Sequence, residues 1–426
     1  MFHSILRASF SATPFIVAAR ALHFCLYYYV AHLYGLTAET DTAVLALTIA
    51  TALTAIIAVP VENAFVPIFM NGASRRALGS SPLLWLGSAL LIGLGCGAAV
   101  GVPRLFATVH AFTQAQRVQL GVYLWGMVPA YAPQLWAAAL RARANADNKL
   151  GRASAAQALE AAVFLGVVFL SQPFLRLGAL PVGYVVSSGF AVLALKCMVR
   201  SEPSRLNEPS GARLLSDGTG ARLVAVQVGG TAFVALNPLI DQYFAASFGT
   251  GALSAYAYAS RLVLVPITMI MSGFFPAFLR GMSAMANKAP RWASRTMVLR
   301  TALGLAICGL IFTTLAALFA SPLVTLFIGR HSTGNSHELT TLLFRVLLCS
   351  TVPYVLCGLF TRAHIAFRNS SALGASAAVI VVVNALADFG LSRAMGITGI
   401  AISTVCAYIV ATMVLYKAFT SWTRQP

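Results

Sequence analysis

Long apolar runs separated by short polar ones dominate this chain. Stretches of about 20 mainly apolar residues, the length a helix needs to cross roughly 30 Å of hydrocarbon, fall near 12–34, 42–69, 82–102, 118–140, 153–171, 179–195, 223–248, 252–279, 301–320, 340–361, 372–392 and 397–416. The runs are continuous rather than alternating, which predicts helices and argues against a membrane β-barrel. The expected fold class is all-α: a polytopic membrane protein of about twelve transmembrane helices. Most runs contain Gly or Pro, which membrane helices tolerate better than soluble ones do. The first run has full span length and no small-residue cleavage site, so it reads as a span rather than a removable signal.

The longest polar stretch, near 200–222, is rich in Ser, Gly, Pro and charge. It predicts an N-terminal six-helix lobe at 1–199, a cytoplasmic linker at 200–222 and a C-terminal six-helix lobe at 223–426. The halves echo each other. LRARANADNKLGRASAA follows the fourth span at 140–156, and FTRAHIAFRNSSALGASAA follows the tenth at 360–378. FVPIF (65–69) and FFPAF (274–278) form a weaker pair. Six spans is an even number, so both halves enter the membrane in the same sense. That predicts a pseudo-two-fold axis along the membrane normal, with a site where the halves meet.

Charge changes the picture in two ways. The net charge is +18 although only 9% of residues are charged and 59% are hydrophobic. With the N-terminus in the cytoplasm, 21 of the 29 basic residues fall in cytoplasmic segments, and Arg104, Arg117, Arg176, Arg330 and Arg393 fall outside. This is the positive-inside asymmetry, and it places both termini in the cytoplasm. The basic residues form no aromatic-interleaved face, so no nucleic-acid partner is expected. The remaining three, Arg20, Arg261 and Arg345, lie within spans with Glu62, Glu160, Asp241 and Asp388. An intramembrane charge is expensive, which makes each one a candidate for a substrate or ion pathway.

Arg20, His23 and Tyr27 are spaced i, i+3, i+7 and share one helical face. Arg261 lies roughly 15 Å into its span at 1.5 Å per residue. Guanidinium groups suit phosphate because their planar fork donates two parallel hydrogen bonds; the alternative is that each Arg neutralises a carboxylate or snorkels. Asn384 and Asp388 are one turn apart, Asp241 follows an Asn237-Pro238 break, and Thr404 lies inside the last span. These oxygen ligands suit a hard cation such as Na+; the alternative is a hydrated helix end. Asp41 stands at the head of the second span, where it can serve as a helix cap or face a ligand. Glu62 and Glu160 read as partners of the Arg141–Arg152 cluster. The seven cysteines lack paired spacing and read as small packing residues. There is no GxxxxGK[ST] loop, no HExxH and no nucleophile–base pair, so the chain is not expected to be an enzyme or to use a cofactor.

Two stretches resemble the MurJ/MviN lipid II flippase family of the multidrug/oligosaccharidyl-lipid/polysaccharide exporter superfamily. They are 19–47 (ARALHFCLYYYVAHLYGLTAETDTAVLAL), with NAFVPIF at 63–69, and 239–279 (LIDQYFAASFGTGALSAYAYASRLVLVPITMIMSGFFPAFL). By that resemblance Arg20, Asp41 and Arg261 match cavity positions, while Asp241, Asn384, Asp388, Thr404 and the carbonyl of Ile400 match a sodium site. The chain departs from the pattern at Leu26, at 52–57 (ALTAII) and at Leu264, where the family carries charge, and it has twelve expected spans where lipid II flippases carry fourteen. The resemblance implies a flippase of the bacterial inner membrane. It would move a lipid-linked glycan pyrophosphate to the outer leaflet by alternating access, with Na+ as coupling ion and membrane lipids and glycan-assembly enzymes as partners. The alternatives are a drug/sodium antiporter of the same superfamily and a non-transporting membrane scaffold for glycan assembly.

Overall fold

A computed structural model describes residues 2–70, 82–109, 111–147, 149–198, 219–286, 291–329, 335–367 and 370–424. Among them are fifteen α-helices and no strand. In order these are α1 (Phe2–Tyr34), α2 (Ala38–Met70), α3 (Pro82–Leu105), α4 (Gln114–Met127), α5 (Tyr131–Ala146), α6 (Leu150–Leu175), α7 (Ala179–Met198) and α8 (Thr219–Ala245). There follow α9 (Ala252–Ala286), α10 (Arg291–Leu318), α11 (Ala320–Ile328), α12 (Asn335–Leu348), α13 (Thr351–Ala366), α14 (Ser370–Met395) and α15 (Ile397–Arg424). The chain is an all-α, multi-pass membrane protein.

Eight helical segments among the described residues are long and apolar enough to cross a membrane, and a bent pair makes a ninth. Of the four spans by which eight falls short of twelve, three have local causes, and the fourth, expected at 223–248, is α8, which is not among the qualifying segments. One segment, Leu150–Met198, contains two of the expected spans, α6 and α7. They pack side by side after the chain turns at Arg176–Gly178, where Arg176 adopts φ 51°. The run at 118–140 is split into α4 and α5 by a 3-10 turn at Val128–Ala130. Pro129 sits in that turn and Pro133 follows it, and neither can donate a backbone hydrogen bond. The run at 340–361 is likewise α12 and α13, bent by 41°. Pro353 lies at the start of α13, and its ring would clash with the carbonyl four residues back in a straight helix. Of the expected linker at 200–222, residues 200–218 lie outside those described and 219–222 open α8.

The chain divides into two compact units, one of residues 1–26 and 42–235, the other of 27–41 and 236–426. The first helix therefore contributes its N-terminal part to one unit and Tyr27 onward to the other. In the first unit α5 ends three residues before α6 begins, and in the second α13 ends three residues before α14 begins. These are the two places where the sequence repeats itself. Each break is followed by a closely packed helix pair, α6 with α7 and α14 with α15.

The outward surface is apolar. Along α10, Leu303, Ile307, Leu310, Leu315 and Leu318 are all exposed, as are Leu170 and Phe174 of α6. Exposed apolar area on this scale belongs against lipid tails rather than water. The cysteines depart from the expectation of packing residues: all seven thiols are free and four, Cys25, Cys197, Cys308 and Cys349, are exposed. A thiol costs little against hydrocarbon, so the lipid-facing surface accepts it as readily as the core does.

The α14–α15 pair depends on two glycines. Gly396 forms the tight link between them at φ 64°. At Gly399 a Cβ atom would lie 2.2 Å from the carbonyl oxygen of Leu391 and 2.4 Å from its carbon. Backbone cannot step aside as a flexible side chain can, so a methyl group there must separate the helices. Gly399→Ala is expected to lower the thermal unfolding midpoint of the purified protein in detergent, at a cost of about 2 kcal/mol or more. Gly374→Ala, where a Cβ meets open space, is expected to leave the midpoint unchanged or raise it.

Candidate functional site

Seven residues of the second unit form a buried oxygen-rich cluster on four helices. Asp241 comes from α8, Tyr256 from α9, Asn384 and Asp388 from α14, and Ile400, Ser403 and Thr404 from α15. Asn384, Asp388, Ile400 and Ser403 are fully inaccessible, and Asp241, Tyr256 and Thr404 are nearly so. The Asn384 amide donates to Asp241 Oδ1 and, at 3.3 Å, to Asp388 Oδ2, so both carboxylates meet at one nitrogen. The Tyr256 hydroxyl donates to Asp241 Oδ2 at 2.6 Å and lies 3.0 Å from Thr404 Oγ1. Thr404 Oγ1 lies 3.2 Å from both Asp241 Oδ2 and the Ile400 carbonyl. Ser403 Oγ contacts Asp388 Oδ1, the Ile400 carbonyl at 2.7 Å and Asn384 Oδ1 at 3.4 Å.

The spacing of the sequence explains the convergence. Asn384 and Asp388 are one turn apart, and Ile400, Ser403 and Thr404 fall at i, i+3, i+4, so each helix presents one face to the other. Gly399 brings those faces together. The five residues of the expected cation set are all in this cluster. Tyr256 and Ser403 were missed: Ser403 is legible as a neighbour of Thr404 one turn from Ile400, but nothing in the sequence marks Tyr256.

Electrostatically the cluster is short of positive charge. Two unit charges 4 Å apart repel by about 4 kcal/mol at an effective dielectric near 20, and among the described residues no Lys, Arg or His pairs with Asp241 or Asp388. Ser403 has one hydrogen for three acceptors within reach, so lone pairs outnumber donors. A set of carboxylate, amide, hydroxyl and carbonyl oxygens fits a hard monovalent cation or protons. No group of three or more His, Cys, Asp or Glu that could hold a metal ion is found among the described residues.

Asp41 is also in this unit, and its role differs from the expected cap of its own helix. That cap is Thr37, whose hydroxyl accepts from the Thr40 N–H at 3.3 Å. Asp41 instead caps α9: its two carboxylate oxygens accept the N–H groups of Gly251 and Ser254, each at 2.7 Å. The carboxylate thus meets the positive end of that helix, buried to 2% exposure. On the same α9, the Arg261 guanidinium lies 4.5 Å from the centre of the Tyr27 ring, a cation–π contact. No carboxylate pairs with Arg261 among the described residues. Tyr27 is the C-terminal member of the α1 face that carries Arg20 and His23. Both of these are exposed, and the His23 ring bonds the Ala19 carbonyl one turn back.

In the first unit both expected carboxylates meet Arg141. Glu62 pairs with Arg141 at 3.0 Å and accepts from Asn145 at 3.3 Å. Glu160 lies within electrostatic reach of Arg141 and accepts from the Gln134 amide at 2.8 Å, and that amide also donates to Ser188 at 2.9 Å. Thr54 of α2, within the ALTAII stretch, bonds the Tyr184 hydroxyl of α7 at 2.9 Å.

Comparison with known proteins bears on these clusters. The profile of a family described as lipid II flippase MurJ matches residues 30–422. A search of curated proteins finds no match to the sequence. Among solved structures, lipid II flippase MurJ in an inward-closed conformation aligns with a TM-score of 0.77 at 16% identity, covering 95% of this chain and 87% of that one. An inward-facing multidrug resistance MATE family transporter aligns with a TM-score of 0.77 at 15% identity, covering 95% and 94%. A mutant form of the Vibrio cholerae MATE transporter VcmN aligns with a TM-score of 0.61 at 13% identity, covering 99% and 98%. These likenesses show a shared fold.

The Asp41 geometry makes a prediction independent of any ligand. Asp41→Ala orphans two buried backbone N–H groups and is expected to destabilise the protein by about 1–2 kcal/mol. Asp41→Asn, which keeps one oxygen acceptor, is expected to recover roughly half of that. Thermal unfolding of the purified variants in detergent checks the order wild type, Asn, Ala.

Proposed function

Because the chain belongs to the MurJ lipid II flippase family, we propose that it carries a lipid-linked glycan pyrophosphate, lipid II or a related undecaprenyl-linked oligosaccharide, from the inner to the outer leaflet. On this reading it is a transporter of the bacterial inner membrane rather than an enzyme, with both termini cytoplasmic. The observation that carries the reading is Arg261. It is a cation deep within an apolar span, held on an aromatic ring and without an acidic partner among the described residues. A charge in that setting is expensive to keep and is suited to meet a mobile anion. Arg20 and His23, on the α1 face that also carries Tyr27, are proposed as further groups that meet anionic cargo.

Moving a bare pyrophosphate through hydrocarbon costs tens of kcal/mol by Born estimates. A wet, cationic path lowers that barrier while the lipid tail stays in the bilayer. An inside-negative potential favours outward movement of the anion, and inward movement of Na+, by about 2.3 kcal/mol per charge per 100 mV. We assign Na+ to the Asp241–Asn384–Asp388–Ile400–Thr404 cluster, with Ser403 as a further oxygen. Asn384 would turn its amide oxygen inward to complete the set. Cation binding there would bias the transport cycle by its differential affinity for the two states.

The MATE transporters have a similar fold, so the fold alone does not choose the cargo. Drug/sodium antiport asks for acidic residues against a cationic drug. The mid-span Arg261 favours an anion, and so does the family match. Reconstitution tests both parts. In proteoliposomes holding a fluorescent lipid-linked oligosaccharide, Arg20→Ala with Arg261→Ala is expected to slow its appearance on the far leaflet by about tenfold or more. Unchanged transport would refute the anion reading. Asp388→Ala, or replacing Na+ with choline, is expected to abolish the dependence on a sodium gradient. If transport stays equally sodium-dependent in Asp388→Ala, the ion assignment falls while the cargo assignment stands.

A further inference from the structure

The first unit carries a groove of about 640 Å³ between the end of α3 and the face of α4, lined by none of the residues of the clusters above. Arg104, in the last turn of α3, and Arg117, near the start of α4, both line it, with Gln114 beside them. Its wall continues along α4 through Val118, Val122 and Trp125, which are about half or more exposed. One end is therefore cationic and the other is a lipid-facing apolar channel.

Several observations say that the cationic end lacks an anion. No acidic residue lines the groove, and among the described residues neither arginine has an ion pair. The Arg117 Nε atom is buried without a hydrogen-bond partner. Arg117 also stands in the first turns of α4, where the helix dipole is positive and disfavours a cation. The Thr113–Gln116 capping box already satisfies that helix end, so it does not compensate the charge. Finally, only five basic residues fall on the outer side in the positive-inside reading, and two of the five meet here.

We propose that this groove holds an anionic phospholipid of the outer leaflet, with its phosphate between Arg104 and Arg117 and an acyl chain along Val118, Val122 and Trp125. A guanidinium pair forms charge-assisted, forked hydrogen bonds to a phosphate. The mixed lining matches a molecule with one charged and one apolar end. The lipid is a bound structural partner and is distinct from the transported cargo.

The test uses the full chain in nanodiscs of equal phosphatidylglycerol and phosphatidylcholine, with retained lipids counted by native mass spectrometry. Wild type is expected to retain phosphatidylglycerol in about fivefold excess. Arg104→Gln with Arg117→Gln is expected to bring the ratio to about one, and the two Lys substitutions to preserve most of it. Arg393→Gln removes an outer arginine that stacks 3.8 Å from the Phe389 ring instead, and is expected to leave the ratio unchanged. An undiminished excess in the Gln double variant overturns the proposal. So does a wild-type ratio of one, or competition at this groove by the lipid-linked oligosaccharide, which would make it a cargo site. Because retention is read without transport, failure here and failure of the flippase reading are separately visible.

Discussion

A charge carried into hydrocarbon must be met there, because no water is at hand to share the cost. Most of the described interior follows from how each such group is met. Asp41 takes two backbone N–H groups from a neighbouring helix end, and Glu62 takes a guanidinium and an amide. Glu160 takes one amide and lies within electrostatic reach of Arg141, and Asp241 and Asp388 share another amide. Arg261 has an aromatic face in place of a carboxylate. The groups met by full counter-charge or by backbone lock helices together. Those met only by neutral dipoles retain the capacity to attract something further, and it is these that the proposed transport uses.

The two units use their polar groups differently. In the first, side chains bridge helices: Arg141 ties α5 to α2, Gln134 ties α5 to α6 and α7, and Tyr184 ties α7 to α2. In the second, four helices converge on two carboxylates without a cation among them. An assembly of ties and an assembly of ligands are different objects even when the helix order repeats. This difference suits a chain in which one unit would respond to an ion. Leu26 is a buried apolar residue, and Thr54 of the 52–57 stretch is part of a tie to Tyr184.

Much of this was legible in the chain. Continuous apolar runs of span length make all-α architecture nearly obligatory, and the repeat around 140–156 and 360–378 marks the breaks before paired helices. The i, i+4 spacing of Asn384 and Asp388 put two oxygen-bearing side chains on one face. Other features were illegible for physical reasons. Spans counted by hydropathy ignore where Pro129, Pro133 and Pro353 break a run into two helices. Asp41 at a helix start looks like a cap for that helix. Its real partners lie more than two hundred residues away, and only tertiary packing brings them close. Tyr256 carries no sequence signal because its hydroxyl matters only through where α9 places it. The Arg104–Arg117 groove was hidden in the charge tally, where two outer arginines are an exception to a rule rather than a site.

On the proposed ion assignment, the near-contact of Gly399 with the Leu391 carbonyl would bear on ion choice. Helices that meet backbone to backbone cannot slide or spread, so the oxygens they hold are fixed in number and separation. A flexible ring of ligands adapts to whichever ion enters, and discriminates by charge density alone. A stiff one charges every ion the energy of its misfit in radius, so potassium would be rejected for being too large rather than for binding weakly. Selectivity in the second unit would then originate in a missing side chain outside the coordination sphere.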